Sequence, residues 1–142
     1  MPLNDTQSKA KELLQGVREL LSDEAQWTQG CFARTPCKVK VEPLHAEASC
    51  WCVMGATYKV LGERRLDQLE KLRAGAMSPE GAREVLYETP ARNYLLEVLC
   101  TALYDNGYAR SIPNFNDTHD HAEVMAWLDR TLANWEDLCA NT

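Results

Sequence analysis

The sequence predicts an all-α fold: a compact bundle of five to seven helices in a single domain spanning residues 1–142. Three observations point there. Apolar residues recur at three- and four-residue spacing over most of the chain. Helix-start and helix-stop residues punctuate those stretches at Ser78-Pro79-Glu80, Thr89-Pro90 and Asn106-Gly107. Strand-like alternation is confined to Val39-Lys40-Val41.

The first helix is expected over about residues 5 to 22. Leu13, Leu14, Val17, Leu20 and Leu21 mark its apolar side, with Lys9, Lys11, Glu12 and Arg18 opposite. WTQGCFAR (27–34) contains Gly30 and reads as a short helix or turn. TPCKVKVEP (35–43) carries two prolines and is the only candidate strand or hairpin, a loop being equally compatible. AEASCWCVMGATYKVL (46–61) is largely apolar and predicts a buried central helix. Glycine inside a helix costs about 1 kcal/mol against alanine, so a close approach at Gly55 and Ala56 is expected. Leu66, Leu69 and Leu72 give a third helix, or a continuation, over 63–74. Ser78-Pro79-Glu80 starts a short helix ending near Glu88. Thr89-Pro90 starts another, running through Tyr94, Leu95, Val98, Leu99, Ala102 and Leu103 to Asn106-Gly107. One final helix carries Val124, Trp127 or Leu128, Thr131, Trp135 and Leu138 on one side. No internal repeat, low-complexity tract or linker interrupts this pattern.

A chain of 142 residues buries roughly 70% of the surface its unfolded form exposes, so the core requires no metal or disulfide staple, and no cofactor is expected. The formal net charge is −6, from 15 Lys+Arg against 21 Asp+Glu, which argues against direct nucleic-acid binding. Arg64 and Arg65 lie between Glu63 and Asp67 and make no basic patch. An acidic surface instead suits docking on a basic partner surface, including one that normally holds nucleic acid. MPLNDTQSKAKELL lacks an apolar targeting core, and no apolar run reaches the length of a membrane span. A cytoplasmic location follows, with Cys31, Cys37, Cys50, Cys52, Cys100 and Cys139 reduced.

The stretch RSIPNFNDTHDHAEV (110–124) holds most of the candidate chemistry. Pro113 bars a helix before it, and Asn114 and Asn116 tolerate turns, so a loop is expected. Asp120 followed by Glu123 fits a capping box, with Asp117 or Thr118 as alternative caps. A metal reading would use His119, His121 and Asp117. Positions two apart share no helical face, Cys31 and Cys37 are too widely spaced, and Cys50-Trp51-Cys52 is not a paired thiol motif, so no metal is expected. An enzymatic alternative would place Cys52 as a nucleophile activated at a helix N-terminus, with Asn116 and Asp117 beside it. Against it, Cys52 sits in an apolar run that reads as core. Trp27, Trp51, Trp127 and Trp135 pack a core, or one of them, with Tyr104 or Tyr108, anchors a partner.

Three motifs in series carry a resemblance. They are Trp27-Thr28-Gln29-Gly30 with Ala33-Arg34, then Cys52-Val53-Met54-Gly55-Ala56, then Phe115-Asn116-Asp117 followed by Ala122-Glu123-Val124 and Leu128-Asp129-Arg130. Together they resemble a small domain-of-unknown-function family of bacteriophages and bacteria, notably actinobacteria. That family's pattern is W-x-Q-G-x-x-A-R, C-L-x-G-A, W-N-D, a polar loop and an E-V-L-x-L-L-D helix. The resemblance covers residues 10 to 134. Phe115 stands where the family has Trp, and Thr118-His119-Asp120-His121 replaces a Pro/Gly-containing loop, so neither histidine belongs to the family pattern. The segment from 62 to 90 is longer than in compact members. The resemblance implies no activity; it implies a phage or prophage accessory protein.

The expected function is therefore non-enzymatic: binding a host bacterial protein and modulating or inhibiting it. The alternatives are a small enzyme using Cys52 or the Asn116-Asp117 loop, and a homodimer sealing an aromatic patch. Asn116 and Asp117 are expected to fix their loop against 27–30 or 52–56, and alanine at either should cost about 1 kcal/mol or more.

Overall fold

Helix α1 (Asp5–Leu20) starts at Asn4, whose side chain accepts the Gln7 amide while the Gln7 side chain accepts the Asn4 amide. Its buried stripe, Ala10, Leu13, Leu14 and Val17, follows the helical period. In this computed structural model, residues 2–73, 75, 88–105 and 111–142 are described. They form six α-helices, one 3-10 turn (Glu24–Gln26) and a small sheet. The predominantly helical architecture agrees with the sequence expectation.

The main departure comes between α1 and the central helix. Residues 27–34 form no helix: bends lead into strand β1 (Ala33–Arg34). Strand β2 (Lys40–Val41) pairs antiparallel with it, Ala33 opposite Val41 and Arg34 opposite Lys40, so the hairpin expected near 35–43 exists with its first strand slightly earlier. Lys38 turns the chain at φ 68°, and the Thr35 amide donates to the Val39 carbonyl. Strand β3 (Cys50–Trp51) adds to the other side of β1, giving the order β2-β1-β3.

The buried helix expected over 46–61 is thus corrected: it begins only at Val53 and runs as α2 (Val53–Arg73), taking in the described part of the 63–74 segment as its continuation. The reason lies in what an apolar run encodes. Cys50 and Trp51 are both buried, and a strand buried on both faces shows no alternation to separate it from a buried helix. Trp51 is fixed by its indole N–H, which donates to the Pro43 carbonyl at 2.9 Å.

Helix α3 (Glu88–Asp105) begins beside the expected Thr89-Pro90 start, and its Leu95, Val98, Leu99 and Leu103 are fully buried. The helix start at Ser78-Pro79 and the stop at Asn106-Gly107 lie outside the described residues. The loop expected around Asn114 and Asn116 is a helix, α4 (Ile112–Thr118). Ser111 caps it by accepting the Asn114 amide, and Pro113 falls in its first turn, where no amide is required. The single final helix is two, α5 (His121–Ala133) and α6 (Trp135–Ala140), broken at Asn134. The apolar stripe runs across the break, with Trp127, Leu128 and Trp135 all buried, so periodicity alone conceals it.

The core gathers where α1 lies along α3, with α2, α5 and α6 closing the sides. Trp51, Trp127 and Trp135 are buried and Trp27 is half-buried, so none of the four is an exposed anchor; Tyr104 is exposed, and Tyr108 lies outside the described residues. Among the described residues, no helix is long and apolar enough to cross a membrane.

Candidate functional site

Asn116, within α4, is completely buried and joins two distant segments to its own helix. Its Oδ1 accepts the Trp27 indole N–H at 2.9 Å and the Val53 amide at 3.2 Å. Its Nδ2 donates to the Thr28 carbonyl and to Asp117 Oδ1, both at 3.0 Å. The neighbouring Asp117 Oδ1 also accepts the Gly30 amide at 2.9 Å. Gln29 answers from the other side, its Nε2 donating to the carbonyls of Asn116 (3.0 Å) and His119 (2.8 Å). Val53 is the first residue of α2, so the Asn116 side chain satisfies an amide that the helix itself leaves open.

Arg34 holds the same loop from behind. Its guanidinium donates to Thr28 Oγ1, the Gln29 carbonyl and the Lys38 carbonyl, each at 3.2 Å. Gly30 takes φ +80°, a conformation that favours glycine. Gly55 lets α2 press onto β1: a Cβ there would stand 1.9 Å from the Phe32 carbonyl oxygen. That same oxygen accepts the Cys52 amide at 3.2 Å. Ala56 is buried in the first turn of α2, its amide bonded to the Cys52 carbonyl.

These segments wall a cleft of about 680 Å³. Gly30, Cys52 and Asp117 contribute from the motifs; Cys31, Phe32, Val41, Met54 and Pro113 supply most of the apolar wall, and Lys40, Glu42 and His45 the remaining polar groups. A second cleft of about 380 Å³, lined by Phe32, Glu42, Pro43, Leu44 and Tyr58, shares Phe32 and Glu42 with the first.

A family model of proteins of unknown function, DUF6197, matches residues 5–134. The chain belongs to this family. No curated protein and no solved structure matches it.

In this DUF6197 chain, Trp27, Gln29, Gly30, Arg34, Cys52, Gly55, Ala56, Asn116 and Asp117 thus converge on one junction, whereas Glu123 lies apart from it. Glu123 completes the capping box of α5: Asp120 Oδ1 accepts the Glu123 amide at 2.8 Å, and Glu123 Oε1 accepts the Asp120 amide at 3.3 Å. Neither Asp117 nor Thr118 caps that helix.

The other candidates separate. His119 stacks on Phe115 at 3.9 Å between ring centres, with Nδ1 2.9 Å from the Phe115 carbonyl. His121 Nε2 lies 2.6 Å from the Leu21 carbonyl, and its ring rests 5.7 Å from Trp27. Among the described residues, no three His, Cys, Asp or Glu side chains are grouped to hold a metal ion. The Asp117 carboxylate meanwhile bonds Gly30 and Asn116.

Cys52 does sit at the N-terminus of α2, but not as an activated thiol. Its Sγ accepts the Gly55 amide at 3.2 Å. Burial pushes its pKa above the ordinary 9.0, and this outweighs the lowering by the Gly55 and Met54 amides; Asp117 and Cys31 push the same way. The pKa expected for a cysteine at a helix start is therefore reversed by desolvation. Near neutral pH, iodoacetamide should alkylate exposed Cys37 first and Cys52 more slowly. Peptide mass mapping over time checks this, and a Cys52 faster than Cys37 would overturn it. Because the folded-state pKa is raised, the thiol's contribution to stability is present below pH 9.0 and is lost as pH rises through the folded value.

Phe32 and Glu42 line the cleft without having been singled out in the sequence, and Met54 and Pro113 stood out there only as a motif member and a helix breaker. Phe32 carried a usable signal, an aromatic residue inside the first motif between Gly30 and Arg34.

Proposed function

We propose that this chain is a non-enzymatic binding protein, a phage or prophage accessory factor that docks a host bacterial protein in the host cytoplasm and modulates or inhibits it. The observation that carries the reading is the pair of clefts on either side of Phe32, a large aromatic side chain left 46% exposed. Concave, mainly apolar hollows beside an exposed aromatic are the usual seat of a partner's anchoring side chains. The hydrogen bonds of Asn116, Gln29 and Arg34 tie together the segments beside the larger cleft, and such preorganisation lowers the ordering cost of binding. Three further points favour binding over catalysis. Of the two thiols lining the larger cleft, Cys52 has its pKa raised by burial, which opposes its use as a nucleophile. The Asn116 amide spends all its bonding capacity on the fold. The net charge of −6 favours encounter with a basic protein surface. The phage origin rests on the motif resemblance.

The test is capture from bacterial lysate with the wild-type chain and with Phe32→Asp. The wild type should retain one stoichiometric host protein, and Phe32→Asp should reduce its capture by about tenfold or more, as for a central aromatic anchor. Circular dichroism confirms that the variant is folded. Equal capture by both chains removes the cleft from the interface, and no stoichiometric protein from any of several hosts removes the reading.

A further inference from the structure

We infer that the segment occupying this surface carries a lysine or arginine side chain between two apolar ones. The inference rests on the binding reading and specifies its partner. Its basis is the arrangement of the two clefts. They are separate hollows with a shared boundary formed by Phe32 and Glu42. On one side lie Cys31, Val41, Met54 and Pro113; on the other, Pro43, Leu44 and Tyr58. The Phe32 ring meets Tyr58 edge-on, 5.7 Å between centres, which holds the boundary in place. Each hollow accepts an apolar side chain, and the boundary between them presents a carboxylate.

That carboxylate is available. Glu42 is exposed and forms no ion pair among the described residues. Asp117 adds a second negative group to the first hollow: Oδ1 serves Gly30 and Asn116, and Oδ2 makes no hydrogen bond among the described residues. Lys40 is the one cation of these linings; it borders the first hollow alone and makes no ion pair with Glu42. His45 borders the first hollow too, its Nδ1 accepting the Glu47 amide. Of the charged groups here, Glu42 alone touches both hollows. A basic side chain whose apolar neighbours fill them lies over Glu42 with its stem on Phe32. Water is then partly excluded, which strengthens the pair relative to an exposed one. Lysine and arginine also bury their methylene stems on apolar surface while keeping the charge at the rim.

The experiment selects a displayed random-peptide library on the immobilised full chain and on Glu42→Lys. The wild type should enrich sequences with Lys or Arg between apolar residues. A synthetic peptide of that sequence should bind Glu42→Lys at least about tenfold more weakly by fluorescence anisotropy, and Glu42→Asp close to wild type, since like charges oppose and opposite charges attract across an interface. Neutral or acidic enriched sequences, no enrichment at all, or equal affinity for Glu42→Lys each overturn the inference. Its failure is separable from that of the host-binding reading. Lysate capture that is lost in Phe32→Asp but unchanged in Glu42→Lys retains the host partner and overturns the basic segment. Basic peptides selected on the wild type, with no host protein captured, do the reverse.

Discussion

Asn116→Ala should destabilise the fold by about 3–5 kcal/mol, because it removes a fully buried side chain and leaves several polar groups on partly buried neighbours without their partner. The substitution deletes an acceptor and a donor together. It strands the Val53 amide and the Trp27 indole N–H on one side and the Thr28 carbonyl on the other. Each buried polar group left unpaired costs about 1–3 kcal/mol, and the Ala side chain leaves a small cavity besides. This exceeds the roughly 1 kcal/mol expected from capping alone. Asn116→Asp keeps the acceptor but loses both donor bonds and sets a second carboxylate against Asp117, so it should also be strongly destabilised. Urea denaturation of the three chains measures it. A loss below about 1 kcal/mol for Asn116→Ala would show that the junction is satisfied in another way.

Gly55→Ala should cost about 3 kcal/mol or more, at or beyond the upper end for overpacking, with failure to fold as the extreme outcome. The added Cβ would meet the Phe32 backbone: its carbonyl oxygen at 1.9 Å, its carbonyl carbon at 2.7 Å and its Cα at 3.0 Å. No rotamer change relieves such a contact. Moving Phe32 away breaks its bond with the Cys52 amide and loosens β1 from β3. At Gly62 the corresponding contacts are all with the exposed Leu44 side chain, which can rotate away. The contrast matters because helix propensity favours alanine by about 1 kcal/mol at either position. Denaturation midpoints of Gly55→Ala and the wild type, taken under one set of conditions, decide the point; a Gly55→Ala chain as stable as the wild type would mean that α2 and β1 can separate at little cost.

Much of the helical frame was legible because its signals are local. Leu13, Leu14 and Val17 give their period within a few turns, and Asp120 announces α5 through Glu123 three residues on. Close packing at Gly55 was legible too, since an interior glycine needs a reason. The small sheet was not. Arg34 pairs with both Lys40 and Cys50, and nothing near 50 in the sequence announces that arrangement. Helix α4 escaped notice because Asn114, Asn116 and Pro113 argue for a turn by propensity, while Ser111 capping and tertiary bonds decide otherwise. The motif resemblance indicated which segments belong together, but the bonds joining the third motif to the first two span 63 to 90 residues along the chain and obey no local rule. The clefts draw on Phe32, Val41, Met54 and Pro113, whose proximity exists only after folding.

The Val53 amide, bonded to a side chain 63 residues further along, has a kinetic meaning. Cys52 completes the Gly55 and Ala56 amides of the first turn of α2 locally, but the Val53 amide gains its partner only when α4 docks. Closing so long a loop precedes any reward from the contact, which places this junction among the slow, non-local steps of assembly. The 27–30 loop, the start of α2 and α4 then gain or lose their order together as one cooperative unit, and the Val53 amide is the proton whose exchange with solvent reports on it.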